Sequence, residues 1–523
     1  MINHSEVLEI LRATKTRLHN FVDGRWTLTK KYTELTNPVQ GTGMLVYPDT
    51  QPDELEPFLK GLRRLCPKSG LHNPFKNVER YRMLGEVSFQ AAGLLENKEI
   101  ADYFAFLIQS VMPKSYVQCM GEVKVVRQFL KNFSGDQVRF LASGHNTPGD
   151  HAGQQPQNYP WPFGPVVIIT PFNFPLEIPA LQLMGALYMG NRPLIKSDEK
   201  AGLVTEQFLR LLHICGLPAA DVDLIHCTGL VMYKLLQRCK SSVRLVQFTG
   251  SSEIAEKLAV LMRGKVSIED SGYNWKILGP DYRSTDADYV ARQCDQDAYA
   301  ASGQKCSAES ILFKHKNWGD DFWEKLRGYA ATRNLSDLTV GPVLTWTTEE
   351  MLTHLQKLIT IPGAKILFGG KQLRDHHIPE CYGAIEPTAV FIPIQKIVSS
   401  KYIDLVTTEV FGPVQVVTEY TDAEIPLLLI LCEKMRNHLT AAVVSRDQEF
   451  IDRILGATVN GTTYVGIRAR TTGAPQNHWF GPSGDPRGAG IGTPEAIILT
   501  WSAPRCVVRD TGPIDHRVNL VQS

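Results

Sequence analysis

The sequence Tyr-Ala-Ala-Ser-Gly-Gln-Lys-Cys-Ser-Ala-Glu-Ser-Ile-Leu occupies residues 299–312 and organises the interpretation of the whole chain. A helix-favouring run ends at Ser302-Gly303, and an apolar run begins at Ile311. Because Gly303 permits a sharp backbone turn, the Cys306 thiol is expected at the mouth of a turn rather than inside a helix or strand. A lone cysteine is usually a small core residue. Cys306 is a candidate nucleophile only if the chain also supplies a base, an oxyanion donor and an electron acceptor.

Length and composition describe an ordinary globular protein. The 523 residues exceed what one hydrophobic core usually serves, so two or three domains are expected. The net charge of +1 argues against a surface for nucleic acid or anionic membranes as the main function. No apolar run approaches the roughly 20 residues that span a bilayer. We therefore expect a soluble protein that binds a small-molecule substrate, and neither nucleic acid nor membranes.

The cysteines and the first residues bear on the compartment. Ten cysteines are scattered, with no C-x-x-C pair and no Cys/His cluster. This spacing argues against a metal site and a disulfide framework, and it favours a reducing compartment. Residues 6–22 predict a basic amphipathic helix, but Glu6 and Glu9 make it a weak mitochondrial presequence. A plain surface helix is the favoured interpretation.

Three stretches of different character precede residue 166. Residues 21–48 are expected to form an irregular, strand-rich entry, whereas 52–133 have the three- and four-residue apolar spacing of helices. Residues 143–165 are rich in Gly, Pro, Gln, Asn and His. We interpret this last stretch as an excursion from the core and a candidate partner-binding arm.

Short apolar runs alternate with helical segments of about a dozen residues from 166 to 268, which predicts a parallel, doubly wound sheet. The strands are predicted at 166–169, 194–195, 224–226, 244–248 and 265–268. Ligands of such sheets bind beyond the carboxyl ends of the strands, at the topological switch point. The candidate ligand-binding loops are therefore 170–175, 196–200, 227–230, 249–252 and 269–274.

The first of these loops is Thr-Pro-Phe-Asn-Phe-Pro, residues 170–175. Its two prolines stiffen the loop, and a stiff loop can hold the Asn173 amide in the fixed position that an oxyanion donor requires. The alternative is that Asn173 merely caps the next helix.

Two further loops carry chemistry suited to a nucleotide. Lys196, with a nearby carboxylate at Glu199, is a candidate for binding the hydroxyls of an adenosine ribose, and an exposed ion pair is the alternative. Ser251 precedes a predicted helix, and free amides at a helix N-terminus suit a pyrophosphate. Because this unit has no G-x-G-x-x-G, glycines alone do not establish a dinucleotide site.

Glu269 ends the fifth predicted strand and is the candidate general base. We expect Tyr273 and Trp275 to wall its carboxylate, since partial desolvation makes a carboxylate a better base. Asp270 is the rival for that role.

Residues 285–480 predict a second region of mixed helix and strand, with turns at 409–413 and 471–475. The Gly-rich residues 481–493 lack the Lys-Ser/Thr of a Walker A motif, so a surface turn is expected. Residues 496–501 and 505–508 are predicted as late strands that pair with a partner chain.

Five motifs occur in order: Thr-Pro-Phe-Asn-Phe-Pro (170–175), Phe-Thr-Gly-Ser (248–251), Glu-x-x-Gly-x-Asn (269–274), Gly-Gln-x-Cys (303–306) and Glu-x-Phe-Gly-Pro (409–413). Together they resemble the aldehyde dehydrogenase superfamily, from about residue 21 to 510. Longer stretches, such as Glu-Asp-Ser-Gly-Tyr-Asn-Trp-Lys-Ile-Leu-Gly-Pro, resemble its plant-type branch, the Δ1-pyrroline-5-carboxylate dehydrogenases. The resemblance implies an α/β fold with a doubly wound Rossmann-like NAD domain, an α/β catalytic domain and a small oligomerisation arm.

The resemblance also implies a division of the chain and an assembly. The NAD domain would comprise 1–137 and 162–272, the catalytic domain 273–478, and the arm with the C-terminal strands 138–161 and 479–523. A homo-oligomer, dimer or larger, is expected, since the edges of the arm and the late strands would otherwise remain unpaired. The mitochondrial matrix is the implied compartment, with the cytoplasm as the alternative.

The activity implied by the resemblance is the NAD-dependent oxidation of L-glutamate 5-semialdehyde to L-glutamate in proline catabolism. Cys306 would attack the aldehyde, Asn173 and the Cys306 amide would hold the oxyanion, and Glu269 would activate water. The alternatives are an enzyme for another short acid semialdehyde, such as succinate semialdehyde, and a catalytically silent structural member.

Cofactor and substrate residues follow from the same resemblance. NAD would be surrounded by Thr170, Pro171, Phe172, Lys196, Glu199, Gly229, Ser251, Glu409 and Phe411. Glu199 would repel a 2′-phosphate, which favours NAD⁺ over NADP⁺. The α-carboxylate of the substrate would be anchored by Ser307, Gly473 and Ala474. Arg468 and Arg470 either add charge there or are surface residues.

Overall fold

The computed structural model describes residues 3–514. Within them, two seven-stranded sheets and two two-stranded sheets are formed. In chain order the strands are β1 Asn20–Val22, β2 Arg25–Thr27, β3 Tyr32–Thr36, β4 Gly43–Pro48, β5 Gln154–Pro162, β6 Pro165–Thr170, β7 Arg192–Ser197, β8 Asp223–Leu224, β9 Leu245–Thr249, β10 Val266–Glu269, β11 Asn274–Leu278, β12 Glu309–His315, β13 Lys365–Phe368, β14 Thr388–Phe391, β15 Val414–Tyr420, β16 Thr440–Val444, β17 Thr462–Val465 and β18 Ser502–Asp510.

Helices connect and cover these strands. In chain order they are α1 His4–Ala13, α2 Glu56–Lys60, α3 Glu79–Glu96, α4 Lys98–Val111, α5 Tyr116–Asn132, α6 Gln137–Phe140, α7 Glu177–Tyr188, α8 Gly202–Ile214, α9 Gly229–Cys239, α10 Ser252–Met262, α11 Ser284–Tyr299, α12 Asp321–Ala330, α13 Thr348–Ile359, α14 Ile394–Ile397, α15 Ile403–Val406, α16 Ile425–Lys434, α17 Gln448–Leu455 and α18 Pro494–Trp501. No helix of the described residues is both long enough and apolar enough to cross a membrane.

The first large sheet has the strand order β10-β9-β6-β7-β8-β1-β2. Neighbours from β10 to β8 run parallel, and β1 and β2 add an antiparallel edge. The predicted parallel, doubly wound sheet is confirmed. Because β6 is followed by β7 on one side and later by β9 on the other, the switch point lies between β6 and β9. The loops after these two strands therefore open a crevice at the carboxyl edge.

The second large sheet has the order β13-β14-β15-β12-β11-β16-β17, and all of its pairs are parallel except β13 with β14. Its strands come from residues 274–465, whereas those of the first sheet come from 20–27 and 165–269. The crossing between the sheets follows Glu269. The exact domain bounds given above stay a prediction.

Helix α7 is the most deeply buried helix beside the site. Every residue from Glu177 to Tyr188 is buried. The helix packs against β6 and β7 of the first sheet and against α5 and α18. An apolar sequence with little periodicity is expected for a helix that is covered on all sides.

The prediction of a strand at 496–501 is wrong, because this segment is helix α18. Its start carries a helix signal: Thr493 caps the helix by accepting a hydrogen bond from the Ala496 amide at 3.2 Å, and Pro494 takes the first helical position. A short apolar run does not distinguish a buried helix from a strand by periodicity alone.

The second late strand is confirmed, and one of its edges pairs within the chain. Its expected pairing with a partner chain stays a prediction. Residues 505–508 lie within β18, which pairs with β5 of the same chain along nine residues, from Ser502 opposite Pro162 to Asp510 opposite Gln154. The stretch 143–165 thus supplies β5, the other strand of this two-stranded arm. Residues 515–523 of the predicted C-terminal segment lie outside the described residues.

Two smaller expectations also differ from the structure. The helix predicted at 6–22 ends at Ala13, and Leu18 beyond it is buried, with its amide donating to the Val46 carbonyl at 3.0 Å. The Gly-rich segment 481–493 is more than a surface turn, because the Ile268 amide donates to the Arg487 carbonyl at 2.8 Å. This segment thereby covers the open edge of β10.

Candidate active site

Three consecutive left-handed residues form the turn that carries Cys306. Ala301, Ser302 and Gly303 have φ angles of 56°, 54° and 69°. Left-handed backbone is costly for residues that carry a Cβ, so the surroundings must hold it in place. A Cβ at Gly303 would lie 2.1 Å from the carbonyl oxygen of Gly412. The predicted turn is confirmed. Position 303 requires glycine both because the Gly412 carbonyl oxygen leaves no room for a Cβ and because its φ is left-handed.

Two amide side chains fasten this turn to its surroundings. Gln304 donates from Nε2 to the Pro342 carbonyl at 2.9 Å. Asn274, at the start of β11, donates from Nδ2 to the carbonyl oxygens of Cys306 and Ala308 at 2.7 and 2.8 Å. Both amides belong to motifs that the sequence singled out without assigning these residues a role. They position the backbone of Cys306, the candidate nucleophile, rather than its sulfur.

Cys306 lies where two cavities meet. Cys306, Glu269 and Ile178 line both of them. Burial, and next the nearby carboxylates of Glu269 and Glu409, raise the pKa of the Cys306 thiol well above its usual value. A thiol with a raised pKa is protonated at neutral pH, so it needs an adjacent base to become a nucleophile.

Glu269 is the carboxylate placed to act on that thiol. It ends β10 and is 2% exposed, and its Oε1 atom has no hydrogen-bond partner within residues 3–514. Burial raises the pKa of Glu269 to about 7, opposed by hydrogen bonding with Cys306 and Thr249. A carboxyl group that titrates near neutrality can accept a proton at physiological pH.

The aromatic wall predicted for Glu269 is not the one that the structure has. Tyr273 and Trp275 belong to the core of the second sheet. The cavity beside Glu269 is lined instead by Phe172 and Ile178. The reason is topological: the chain crosses to the second sheet directly after Glu269 and takes both predicted aromatics with it.

Asp270, the rival candidate for the general base, lines only one of the two cavities that meet at Cys306. It lines the cavity that also contains Phe172, together with Glu269 and Cys306. Burial raises its pKa, and a hydrogen bond from Ser252 opposes the rise. Only Glu269 of the two lines both described cavities. The choice of Glu269 as base stays a prediction that this placement favours.

The Asn173 loop is held by a buried ion pair. Asn173 is 3% exposed, and its carbonyl accepts a hydrogen bond from Lys114 Nζ at 3.0 Å. Lys114 pairs with Glu122 at 2.8 Å. The other Glu122 oxygen accepts from the Leu176 and Glu177 amides at 2.7 and 2.9 Å. Glu122, and not Asn173, thus caps α7, which leaves the Asn173 amide available to the cavity.

Sequence reasoning missed Lys114 and Glu122. They come from α5 and the loop before it, 54 to 59 residues from the loop they hold. A Lys and a Glu eight residues apart in a helical region are usually solvated, so no sequence signal indicated their burial.

Most of the predicted cofactor residues line two adjoining cavities at the carboxyl edge of the first sheet. Thr170, Pro171, Phe172, Lys196, Gly229 and Ser251 line the outer one. Glu409 and Phe411 line the inner one, beside Cys306. We name these two cavities the nucleotide-side cleft. Glu199 is half-buried next to Lys196, and the charge of Lys196 opposes the rise that burial causes in the Glu199 pKa.

The free groups of this cleft suit a dinucleotide. Ser251 precedes α10 and its side chain makes no capping hydrogen bond. A Cβ at Gly229 would meet nothing within 4 Å, so the space beside α9 is open. Lys196 is 7% exposed and has no ion pair within the described part of the chain. The Phe172 and Phe411 rings lie 6.0 Å apart and nearly perpendicular at the inner end.

The predicted substrate residues line the other cavity, which we name the substrate-side cavity. Ser307, Gly473 and Ala474 all lie on it with Cys306. Arg470 lines it as well and Arg468 does not, although both residues are exposed. The structure therefore separates the two arginines that the sequence left equivalent.

A buried ion-pair network supports the loop at 471–475, and it was not predicted. Lys276 Nζ lies 2.7 Å from both Asp297 Oδ2 and Glu309 Oε2. Asp297 also accepts hydrogen bonds from the Thr471 amide at 2.9 Å and from the Thr472 hydroxyl at 3.0 Å. The network joins the strand after the nucleophile to the loop that lines the substrate-side cavity. Within residues 3–514, no cluster of His, Cys, Asp and Glu is arranged to hold a metal ion.

Comparison with known proteins agrees with this geometry. The model of the aldehyde dehydrogenase family matches residues 29–485. The chain is 55% identical over 516 residues to a probable aldehyde dehydrogenase from Linum usitatissimum, covering 98% of this chain and 93% of the relative. It is 54% identical over 530 residues to the mitochondrial delta-1-pyrroline-5-carboxylate dehydrogenase 12A1 of Arabidopsis thaliana, covering 100% and 94%.

Solved structures share the fold. The crystal structure of an NAD-dependent aldehyde dehydrogenase from Sinorhizobium meliloti matches with a TM-score of 0.82 at 20% identity, covering 97% of each chain. At this identity the match establishes the architecture alone.

Proposed function

The chain belongs to the aldehyde dehydrogenase family, and on that premise we propose that it oxidises L-glutamate 5-semialdehyde to L-glutamate with NAD⁺, a step of proline catabolism. The observation that carries the substrate is the 54% identity, over the full chain, to an Arabidopsis protein named as a delta-1-pyrroline-5-carboxylate dehydrogenase. The semialdehyde is the open-chain form of that carboxylate. The meeting of the two cavities at Cys306 supports the chemistry.

The first step joins Cys306 to the substrate. The Sγ atom forms a bond to the aldehyde carbon while Glu269 takes the thiol proton. The carbonyl oxygen becomes an oxyanion, and the Asn173 amide with the Cys306 backbone N–H stabilises it. The buried Lys114–Glu122 pair fixes the Asn173 backbone for this task.

The nucleotide-side cleft is the proposed cofactor site. Lys196 and Glu199 would bind the adenosine ribose, Ser251 the pyrophosphate, and Glu409 the nicotinamide ribose. Phe172 and Phe411 line the site. When bound there, NAD⁺ supplies the acceptor for the hydride that leaves the substrate carbon. The Glu199 carboxylate disfavours a 2′-phosphate, which supports NAD⁺ over NADP⁺.

The last step frees the acid. Loss of the hydride leaves a thioester on Cys306, and Glu269 releases the thiol proton to solvent. Glu269 then draws a proton from water, the water oxygen bonds to the thioester carbon, and the carbon–sulfur bond breaks. The Cys306 sulfur recovers a proton, and L-glutamate leaves through the substrate-side cavity. Ser307 and the Gly473-Ala474 amides are the proposed anchors of its α-carboxylate, and Arg470 adds positive charge.

A coupled assay tests the substrate assignment. NADH formation is measured with L-glutamate 5-semialdehyde and with succinate semialdehyde, separately and in competition. We expect a higher kcat/KM for the first. A preference for succinate semialdehyde would replace the proposed substrate by that alternative. Near-zero NADH formation on every aldehyde tried, equal in wild type and Cys306→Ala, would indicate a catalytically silent member.

We assign the protein to mitochondria, following the Arabidopsis relative, and propose the matrix as the site of action. We also propose a homo-oligomer, dimer or larger, because the two-stranded arm of β5 and β18 presents edges to solvent. Sedimentation of the purified full chain tests the assembly, and a monomer at micromolar concentration would contradict it.

A further inference from the structure

Two titratable side chains of the substrate-side cavity are largely buried and have no hydrogen-bond or ion-pair partner within residues 3–514. Lys305 is 7% exposed and Glu177 is 8% exposed, and both line the cavity that contains Cys306. Neither side chain forms a hydrogen bond or an ion pair with any residue of 3–514. A charge that is buried without a partner is costly, so such groups indicate a ligand that completes them.

Glu177 is free to meet a ligand because its backbone is held by another residue. It is the first residue of α7, and its amide donates to Glu122 at 2.9 Å. The Glu177 side chain therefore has no part in fastening the loop. Burial, and next the charge of Glu122, raise the pKa of Glu177 to about 8, although a helix N-terminus favours a carboxylate. The effect of burial on the Glu177 pKa is therefore larger than that of the helix N-terminus.

Two basic residues, Lys305 and Arg470, also line the substrate-side cavity. Lys305 directly precedes the nucleophile, and Arg470 precedes the loop with Gly473 and Ala474. The cavity thus offers a thiol, a carboxyl side chain and two basic side chains. The open-chain semialdehyde carries an aldehyde, an α-ammonium and an α-carboxylate, which match these three kinds of group.

We propose that the Glu177 carboxylate binds the α-ammonium group of the substrate and so selects amino-acid semialdehydes over semialdehydes that lack the amino group. This inference rests on the proposed function and adds a specificity-determining residue to it. The ammonium gives the buried carboxylate the partner it lacks in the free protein, and a hydrogen bond between charged groups is among the strong ones.

The test compares two substrates that differ only in the amino group. L-glutamate 5-semialdehyde and 5-oxopentanoate have the same chain, aldehyde and carboxylate. In Glu177→Gln we expect kcat/KM to fall by about 10- to 100-fold on the first, the range for a charged hydrogen bond, and by less than about threefold on the second. Glu177→Asp keeps the charge and should lie between wild type and Glu177→Gln.

Controls separate recognition from folding. Asp295→Asn removes another buried carboxylate, one that pairs with Arg333 at 2.6 Å outside the cavity, and it should leave the ratio of the two substrates unchanged. Binding to wild type provides a measurement that needs no variant: L-glutamate should raise the melting temperature more than glutarate does. Should Glu177→Gln not fold, an equal shift by the two ligands would overturn the inference.

The outcomes distinguish this inference from the proposed function. An equal fall on both substrates, or no fall on either, in Glu177→Gln would overturn the role of Glu177 and leave the proposed function standing. Absence of NADH formation from L-glutamate 5-semialdehyde in wild type would overturn both.

Discussion

The two sides of Cys306 are built in different ways. The outer part of the nucleotide-side cleft is formed mainly by loops that follow strands of the first sheet, and its inner part adds Glu409 and Phe411 from the second region. The substrate-side cavity gathers residues from α5, the start of α7, the nucleophile turn and the loop at 471–475. The first is dictated by sheet topology, whereas the second depends on long-range contacts through buried ion pairs. The difference teaches that loops of a regular sheet can be located from local sequence, whereas a cavity assembled by distant contacts cannot.

Substitution of Cys306 should have the largest effect on turnover. It should leave NAD⁺ binding in the nucleotide-side cleft unchanged. In Cys306→Ala we expect turnover to fall by at least about a thousandfold, because no other group supplies the covalent step. NAD⁺ affinity, measured by fluorescence titration, should change by less than about twofold. Cys381→Ala, at an exposed cysteine, is the control and should retain activity. Comparable activity in the two variants would remove Cys306 from the mechanism.

A lysine of the nucleotide-side cleft should affect the cofactor alone. Lys196→Met should raise the KM for NAD⁺ by about 10- to 100-fold, the range for a charged hydrogen bond, with the semialdehyde KM unchanged. Steady-state kinetics with each substrate varied in turn measures both values. Lys234→Met, at an exposed lysine on α9, is the control. A rise in the semialdehyde KM instead would contradict the separation of the two sides.

The parts of the fold and site that the sequence predicts are those built by local periodicity. The parts it does not predict are those built by contacts between residues distant in the chain. The alternation of β6 to β10 with helices predicted the sheet and its loops, because that periodicity is local. Lys114, Glu122 and Asp297 could not be predicted, since their partners lie far along the chain. Tyr273 and Trp275 follow Glu269 in sequence but belong to the other sheet. Proximity in sequence is misleading where the chain changes sheets.

The pH dependence of activity tests the role of Glu269, which lines both the nucleotide-side cleft and the substrate-side cavity. The pKa of Glu269 is raised to about 7, and its ionised form is the one that accepts a proton. Activity should therefore rise with pH through about 7, and it should be about tenfold lower at pH 6 than at its plateau. Stopped-flow rates of acid release measure this. Asp270→Asn should keep the inflection, and loss of the inflection in that variant would move the base role to Asp270.

The smallest expected effect concerns the loop held by Asp297. Thr472→Val removes one hydrogen bond, that to Asp297 at 3.0 Å, and should raise the KM for L-glutamate 5-semialdehyde by about 2- to 10-fold. The kcat/KM for propanal, which has no carboxylate to anchor, should stay the same. Thr472→Ser keeps the hydroxyl and should restore the wild-type KM. An equal loss on both aldehydes would assign Thr472 to general stability instead.

Trapping the covalent intermediate tests the central claim most directly. Glu269→Gln is mixed with NAD⁺ and L-glutamate 5-semialdehyde, quenched in acid, and examined by intact-mass and peptide mass spectrometry. Loss of the base slows both the attack by the thiol and the hydrolysis of the thioester, but it slows hydrolysis more, because water is a far weaker acid than a thiol. The account therefore predicts one glutamyl adduct per chain on the peptide that contains Cys306. Undiminished turnover with no adduct, or an adduct on any other peptide, would contradict it.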